Sequence, residues 1–83
     1  MDKKYSKEQI FDRIVEILIS DFELDKEQLT PQANMYEDLD LDSIDAVDLA
    51  VRLQQFTDKK ISPEEFKKIH TLEDVVNVVY ELI

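Results

Sequence analysis

The chain has 83 residues, no cysteine, no glycine and a single histidine, His70. One domain with a modest core is expected at this length, burying about 60% of the surface its unfolded chain exposes. Disulfides and thiolate metal sites are excluded, any thiol chemistry must be supplied from elsewhere, and a histidine-based zinc site or Ser-His pair has little to draw on. Twenty acids against ten bases leave a net charge of −10, which disfavours nucleic acid and anionic membrane and favours a basic protein partner, although solubility alone is a sufficient reason for the charge. No apolar run approaches the ~20 residues of a membrane span. The N-terminal MDKKYSKEQ lacks the apolar stretch of a secretory signal. The cytoplasm is the expected compartment.

In chain order, Ser6-Lys7-Glu8-Gln9 is a capping box, followed at helical spacing by Ile10, Phe11, Ile14, Val15, Ile17 and Leu18. This pattern predicts a helix over about 6–19. The connection that follows, ISDFELDKEQLTPQANMYEDLDL, is long for a compact domain. Phe22, Leu24, Leu29, Met35, Leu39 and Leu41 are the residues expected to pin it to the core. Without glycine, turns that need positive φ fall to Asn or Asp, and a β-hairpin fold is disfavoured. Asp42 is the expected N-cap of a second helix over about 43–57, with Ser43 first and Asp45 third; both acids suit the positive end of the helix dipole.

Ser62-Pro63-Glu64-Glu65 is a second box, with proline at the first helical position, and opens a short helix over about 63–69. Thr71-Leu72-Glu73-Asp74 starts the last helix, about 71–83, with Leu72, Val75, Val76, Val79, Leu82 and Ile83 on one side. Its valines make a strand the competing reading; the spacing favours a helix. The expected fold is all-α: one four-helix domain over residues 1–83, with a long first loop and a short third helix. Met1 and the full coverage suggest a chain that stands alone.

At ~100° per residue, Ala46, Leu49, Ala50, Leu53 and Phe56 share one side of the second helix, which is the expected core face. Ile44, Val47 and Val51 fall nearly opposite, with Asp48 and Gln55 beside them and Asp45 and Arg52 beyond. A surface helix needs only one apolar stripe. The second either packs beneath the long loop or the short helix, or stays exposed as a partner surface fringed with acids.

Five aspartates, Asp38, Asp40, Asp42, Asp45 and Asp48, crowd around Ser43. Asp38, Asp40 and Asp42 match the first ligand positions of an EF-hand, but the register then puts Ser43 where glycine is required and Leu49 where a bidentate glutamate is required. A catalytic serine needs a base and an oxyanion hole; the acids oppose the negative charge that would develop, and His70 lies far along the chain. The third reading fits better: Ser43 is an exposed attachment point on which an outside enzyme acts, and the chain is not itself an enzyme.

The stretch LDLDSIDAVDLAVRLQ closely resembles the modification site of acyl carrier proteins, and KKISPEEFKKIHTLEDVVNVV is similar to their short third and closing helices. The resemblance covers almost the whole chain. It implies that a phosphopantetheinyl transferase moves 4′-phosphopantetheine from coenzyme A onto Ser43, with Asp42 as the preceding acid, and that the arm's thiol carries acyl groups as thioesters. It also implies that Ile44, Asp45, Val47, Asp48 and Val51 meet basic patches on a ketosynthase and other acyl-chain enzymes of fatty-acid or polyketide type, the chain acting as a monomer. Ile44 replaces the family's usual leucine, RLQQFTDKK is less acidic than the usual ending of this helix, and Arg52 adds a positive charge. These departures suggest a specialised pathway, of aryl-polyene or related type. The alternatives are a peptidyl or D-alanyl carrier, or an acidic helical adaptor that binds without modification.

The crowding of like charge from Asp38 to Asp48 carries a consequence for stability. Added salt or divalent cations are expected to raise the melting temperature by screening this repulsion. Thermal unfolding followed from low to high ionic strength checks it, and a flat response counts against it.

Overall fold

The computed structural model of the chain describes residues 4–62, 64, 66 and 69–83. Helix α1, Lys7–Phe22, starts on the capping box expected for it: Gln9 N–H donates to Ser6 Oγ at 3.1 Å, and Ser6 N–H to Gln9 Oε1 at 2.9 Å. Ile10, Ile14, Ile17 and Leu18 are buried. The helix runs almost a turn beyond the expected end because Phe22, four residues after Leu18, packs against the same core. It stops at Glu23, which takes the left-handed conformation with φ 57°. Asp40 and Asp58 also have positive φ, as the absence of glycine led us to expect. Glu23 corrects that expectation, since a helix C-terminus imposes this geometry on whichever residue follows it.

The loop after α1 holds a short 3₁₀ turn, Lys26–Gln28, and then buries Leu29, Ala33, Met35, Leu39 and Leu41. Asn34 organises its second half. The Asn34 side-chain oxygen accepts from Tyr36 and Glu37 N–H, both at 2.9 Å, and its carbonyl accepts from Asp38 and Leu39 N–H. Asn34 N–H itself donates to the Asp38 carboxylate at 2.8 Å.

Helix α2 spans Ser43–Thr57 and helix α3 spans Leu72–Leu82. The predicted helix over 63–69 lies largely outside the described residues; within it Glu64 and Phe66 are helical, and Phe66 is fully buried. Among the described residues there is no strand, only an isolated antiparallel bridge between Asn34 and Thr71. The competing strand reading of residues 72–83 is thereby removed. No described helix is long and apolar enough to cross a membrane.

One core unites these elements. Ile10, Ile14 and Leu18 of α1, Leu49 and Leu53 of α2, Leu72, Val75 and Val79 of α3, and Met35, Ile61 and Phe66 of the connections are all fully buried. Burial of each such large apolar side chain is worth roughly 1.5–3 kcal/mol, so the core outweighs any single cap. Phe56 departs from its expected place on the core face. It is half-buried, stacked on Tyr5 with ring centroids 4.4 Å apart, and it carries the Arg13 guanidinium 5.3 Å from its ring centre. Thr57 is buried instead, its hydroxyl bonded to Leu53 O at 2.9 Å. At ~100° per residue, Thr57 lies nearer than Phe56 to the mean direction of the four buried α2 residues.

The start of α3 is fully satisfied. Leu72 N–H donates to Ala33 O at 3.1 Å and Glu73 N–H to Pro31 O at 2.9 Å, while Asp74 N–H meets Thr71 Oγ1 and Val75 N–H meets Thr71 O. One Asp74 carboxylate oxygen accepts from both His70 and Thr71 N–H at 3.2 Å. The Thr71 amide is the largest influence holding the Asp74 pKa below its ordinary value; burial opposes it, and the His70 amide, the Thr71 hydroxyl and the His70 charge add to it. Because the folded pKa is depressed, this stabilisation is complete above the unfolded value and is lost as pH falls through the folded one. Asp74→Asn is expected to lower stability by roughly 1 kcal/mol at neutral pH, and the gap to the native chain should close under acid conditions. Urea unfolding at a series of pH values measures it; a gap independent of pH would show that the charge of Asp74 contributes nothing.

Candidate functional site

The aspartates around Ser43 are divided among distinct structural tasks. Asp42 Oδ1 accepts from Asp45 N–H at 2.9 Å, and Asp45 Oδ2 accepts from Asp42 N–H at 3.2 Å, making a reciprocal box at the start of α2. Asp38 closes the Asn34 turn. Asp40 adopts positive φ between Leu39 and Leu41, both of which are buried. The chain therefore enters α2 anchored by two leucines on its inner side and capped by an acid on its outer side.

Ser43 is the first residue of that helix and is exposed. Its hydroxyl makes no hydrogen bond with any described residue, and neither does the N–H of Ser43 or Ile44. These two amides are first-turn donors, which a helix leaves unsatisfied unless a side chain or ligand meets them. His70 is exposed and uses its backbone to hold Met35 and Asp74; no hydrogen bond joins it to Ser43. The Ser43 hydroxyl and the N–H groups of Ser43 and Ile44 are thus left without a partner among the described residues.

The second stripe of α2 stays in solvent. Ala46, Leu49, Ala50 and Leu53 face the core, while Ile44 is 76% exposed, Val47 37% and Val51 43%. No described residue of the loop or the short helix buries them. Asp48 and Gln55 are exposed beside the strip, and Asp45 is partly buried by its capping role. The structure brings Ser43, Ile44, Val47 and Val51 together on the exposed part of one helix.

Arg52 is tied down. Its Nη1 lies 3.1 Å from Asp21 Oδ2 on α1, and its Nη2 lies 3.6 Å from Asp48 Oδ2 one turn back on α2. The Asp48 partner is legible from the i,i+4 spacing. Asp21 was missed, because only the crossing of α1 and α2 brings it near; the signal was a lone cation on a helix otherwise lined with acids.

The profile of a family described as a phosphopantetheine attachment site matches residues 12–79. Acyl carrier protein 2 of Ralstonia nicotianae is 48% identical over 75 residues, covering 90% of this chain and 93% of that protein. The acyl carrier protein of Lactobacillus acidophilus is 36% identical over 74 residues, covering 89% and 92%. The crystal structure of an acyl carrier protein from Thermotoga maritima superposes with a TM-score of 0.82 over 98% of this chain and 94% of that one; at 23% identity, it bears on the fold alone. A profile spanning most of the chain, and a relative so close over nine-tenths of it, place the chain in the acyl carrier protein family, whose members are not enzymes but carriers with covalently attached 4′-phosphopantetheine.

Proposed function

We propose that Ser43 is the residue that bears the 4′-phosphopantetheine, and that residues 1–83 make one carrier domain built to present it. The observation that carries this reading is the free Ser43 hydroxyl at the exposed start of α2, beside the uncovered strip Ile44, Val47 and Val51. The residues present fit the group. A phosphodiester at Ser43 lies at the positive end of the α2 dipole, next to the unpartnered N–H groups of Ser43 and Ile44. The carboxylates of Asp42 and Asp45 are each bonded to a backbone N–H, which moderates their repulsion of it. The group supplies the thiol that a chain without cysteine lacks, and holds acyl groups there as thioesters. No described basic side chain is bonded to Ser43 Oγ, so in this reading the base that takes its proton on attachment belongs to the phosphopantetheinyl transferase.

Partner enzymes are met by the exposed strip. Ile44, Val47 and Val51 offer the apolar contact, and Asp42, Asp45 and Asp48 a field that steers basic patches on the transferase and on acyl-chain enzymes such as a ketosynthase. The carrier acts as a monomer in the cytoplasm in this reading. The names of its relatives favour an acyl cargo over a peptidyl or D-alanyl one, and over an unmodified adaptor.

Incubation with coenzyme A and a broad-specificity phosphopantetheinyl transferase is expected to add one phosphopantetheine to the native chain, by intact mass, and none to Ser43→Ala. Modification of Ser43→Ala, or failure of the folded native chain to react, would overturn the assignment. A second outcome tests the strip. Ile44→Ala, at so exposed a position, should leave stability within about 0.5 kcal/mol but lower the transferase's kcat/KM roughly tenfold. An unchanged kcat/KM would remove Ile44 from the recognition surface.

A further inference from the structure

The geometry points to Arg52 as a specificity-determining residue, which selects partners by neutralising the middle of the recognition helix. This rests on the carrier reading of Ser43 and the α2 strip. Asp42 and Asp45 place negative charge at the start of α2, around Ser43. Asp48 is the next acid along the strip, beside Val47 and Val51, and it is paired with Arg52, which at the same time reaches Asp21 on α1. Each of the three side chains is between a third and a half exposed: 38% for Arg52, 36% for Asp21 and 50% for Asp48. The cluster therefore faces the solvent from which a partner arrives, and exposed pairs of this kind add little to stability. Their effect is on the field over the helix.

The result is a graded surface. A partner meets uncompensated carboxylates next to Ser43, then an apolar strip flanked by a cation and its two counter-charges. The enzyme that fits concentrates its basic residues where it meets the helix start and lays apolar side chains over Val47 and Val51. A carboxylate there can take up Nη N–H groups of Arg52 not directed at Asp21 or Asp48, while the buried Nε–H stays out of reach. An enzyme with basic residues spread along the whole helix must instead face the Arg52 charge or displace it from Asp48, and like-charge contact discriminates strongly against that partner.

The test is a double-mutant cycle on the full chain. The kcat/KM of transfer from coenzyme A by a transferase with a basic docking surface is measured for the native chain, Arg52→Gln, Asp48→Asn and the double variant, at low and raised ionic strength. Arg52→Gln should raise kcat/KM roughly threefold at low salt and steepen its salt dependence. Asp48→Asn should lower kcat/KM less in the native chain, where Arg52 already offsets its charge, than in the Arg52→Gln background, where it should abolish the gain. Arg52→Lys, which keeps the charge, should stay close to the native value. Urea unfolding of each variant separates this from damage to the fold, because a loss of structure lowers kcat/KM and leaves no coupling between positions 48 and 52. Equal effects of Asp48→Asn in both backgrounds, or an unchanged salt dependence in Arg52→Gln, overturn the role of Arg52 while Ser43 is still modified. A native chain that gains no mass overturns the carrier reading of Ser43 and this proposal with it.

Discussion

The backbone amides at the start of α3 are where the long loop becomes part of the fold. Leu72 and Glu73 need acceptors that their own helix does not provide, and the loop supplies them from Ala33 and Pro31. Met35 N–H returns the contact by bonding to His70 O at 2.7 Å. Ordering a connection this long costs on the order of 1–2 kcal/mol per residue in backbone entropy. Three main-chain bonds do not offset that alone; they set the register in which Leu29, Ala33, Met35, Leu39 and Leu41 reach the core. Once Met35 is fixed, its carbonyl accepts Leu41 N–H at 2.9 Å, and the chain arrives at Asp42 and Ser43 in one defined place.

This arrangement explains why a serine surrounded by acids need not be a metal site or a catalytic centre. The acids are spread over tasks that need carboxylates: Asp38 a turn, Asp42 and Asp45 a helix start, Asp48 a pairing with Arg52. The Ser43 hydroxyl is left without a bond to any described residue, and Ser43 is exposed at the first position of α2. A carrier needs little more at its attachment point than a hydroxyl held in a reproducible position. The chemistry belongs to the enzymes that visit it.

The two faces of α2 have opposite relations to the rest of the molecule. Ala46, Leu49, Ala50 and Leu53 tie the helix to the core, with small residues at two positions that let it lie close. Ile44, Val47 and Val51 keep apolar surface in water, which folding alone does not explain and the proposed recognition role does. Arg52 joins this helix to α1 through Asp21, so the charge pattern of the exposed face depends partly on an acid from another helix.

The local features were legible because their partners lie three or four residues away. The boxes Ser6–Gln9, Asp42–Asp45 and Thr71–Asp74, the first position of Ser43 and the two stripes of α2 all follow from short-range geometry and helical period. The family was legible for the same reason, since its attachment site is a continuous stretch. Tertiary structure alone decided whether the second stripe would be covered and that Asp21 would meet Arg52. Each of these depends on which segments distant in sequence come to lie side by side, and that is set by filling one shared core, to which no short window of sequence has access.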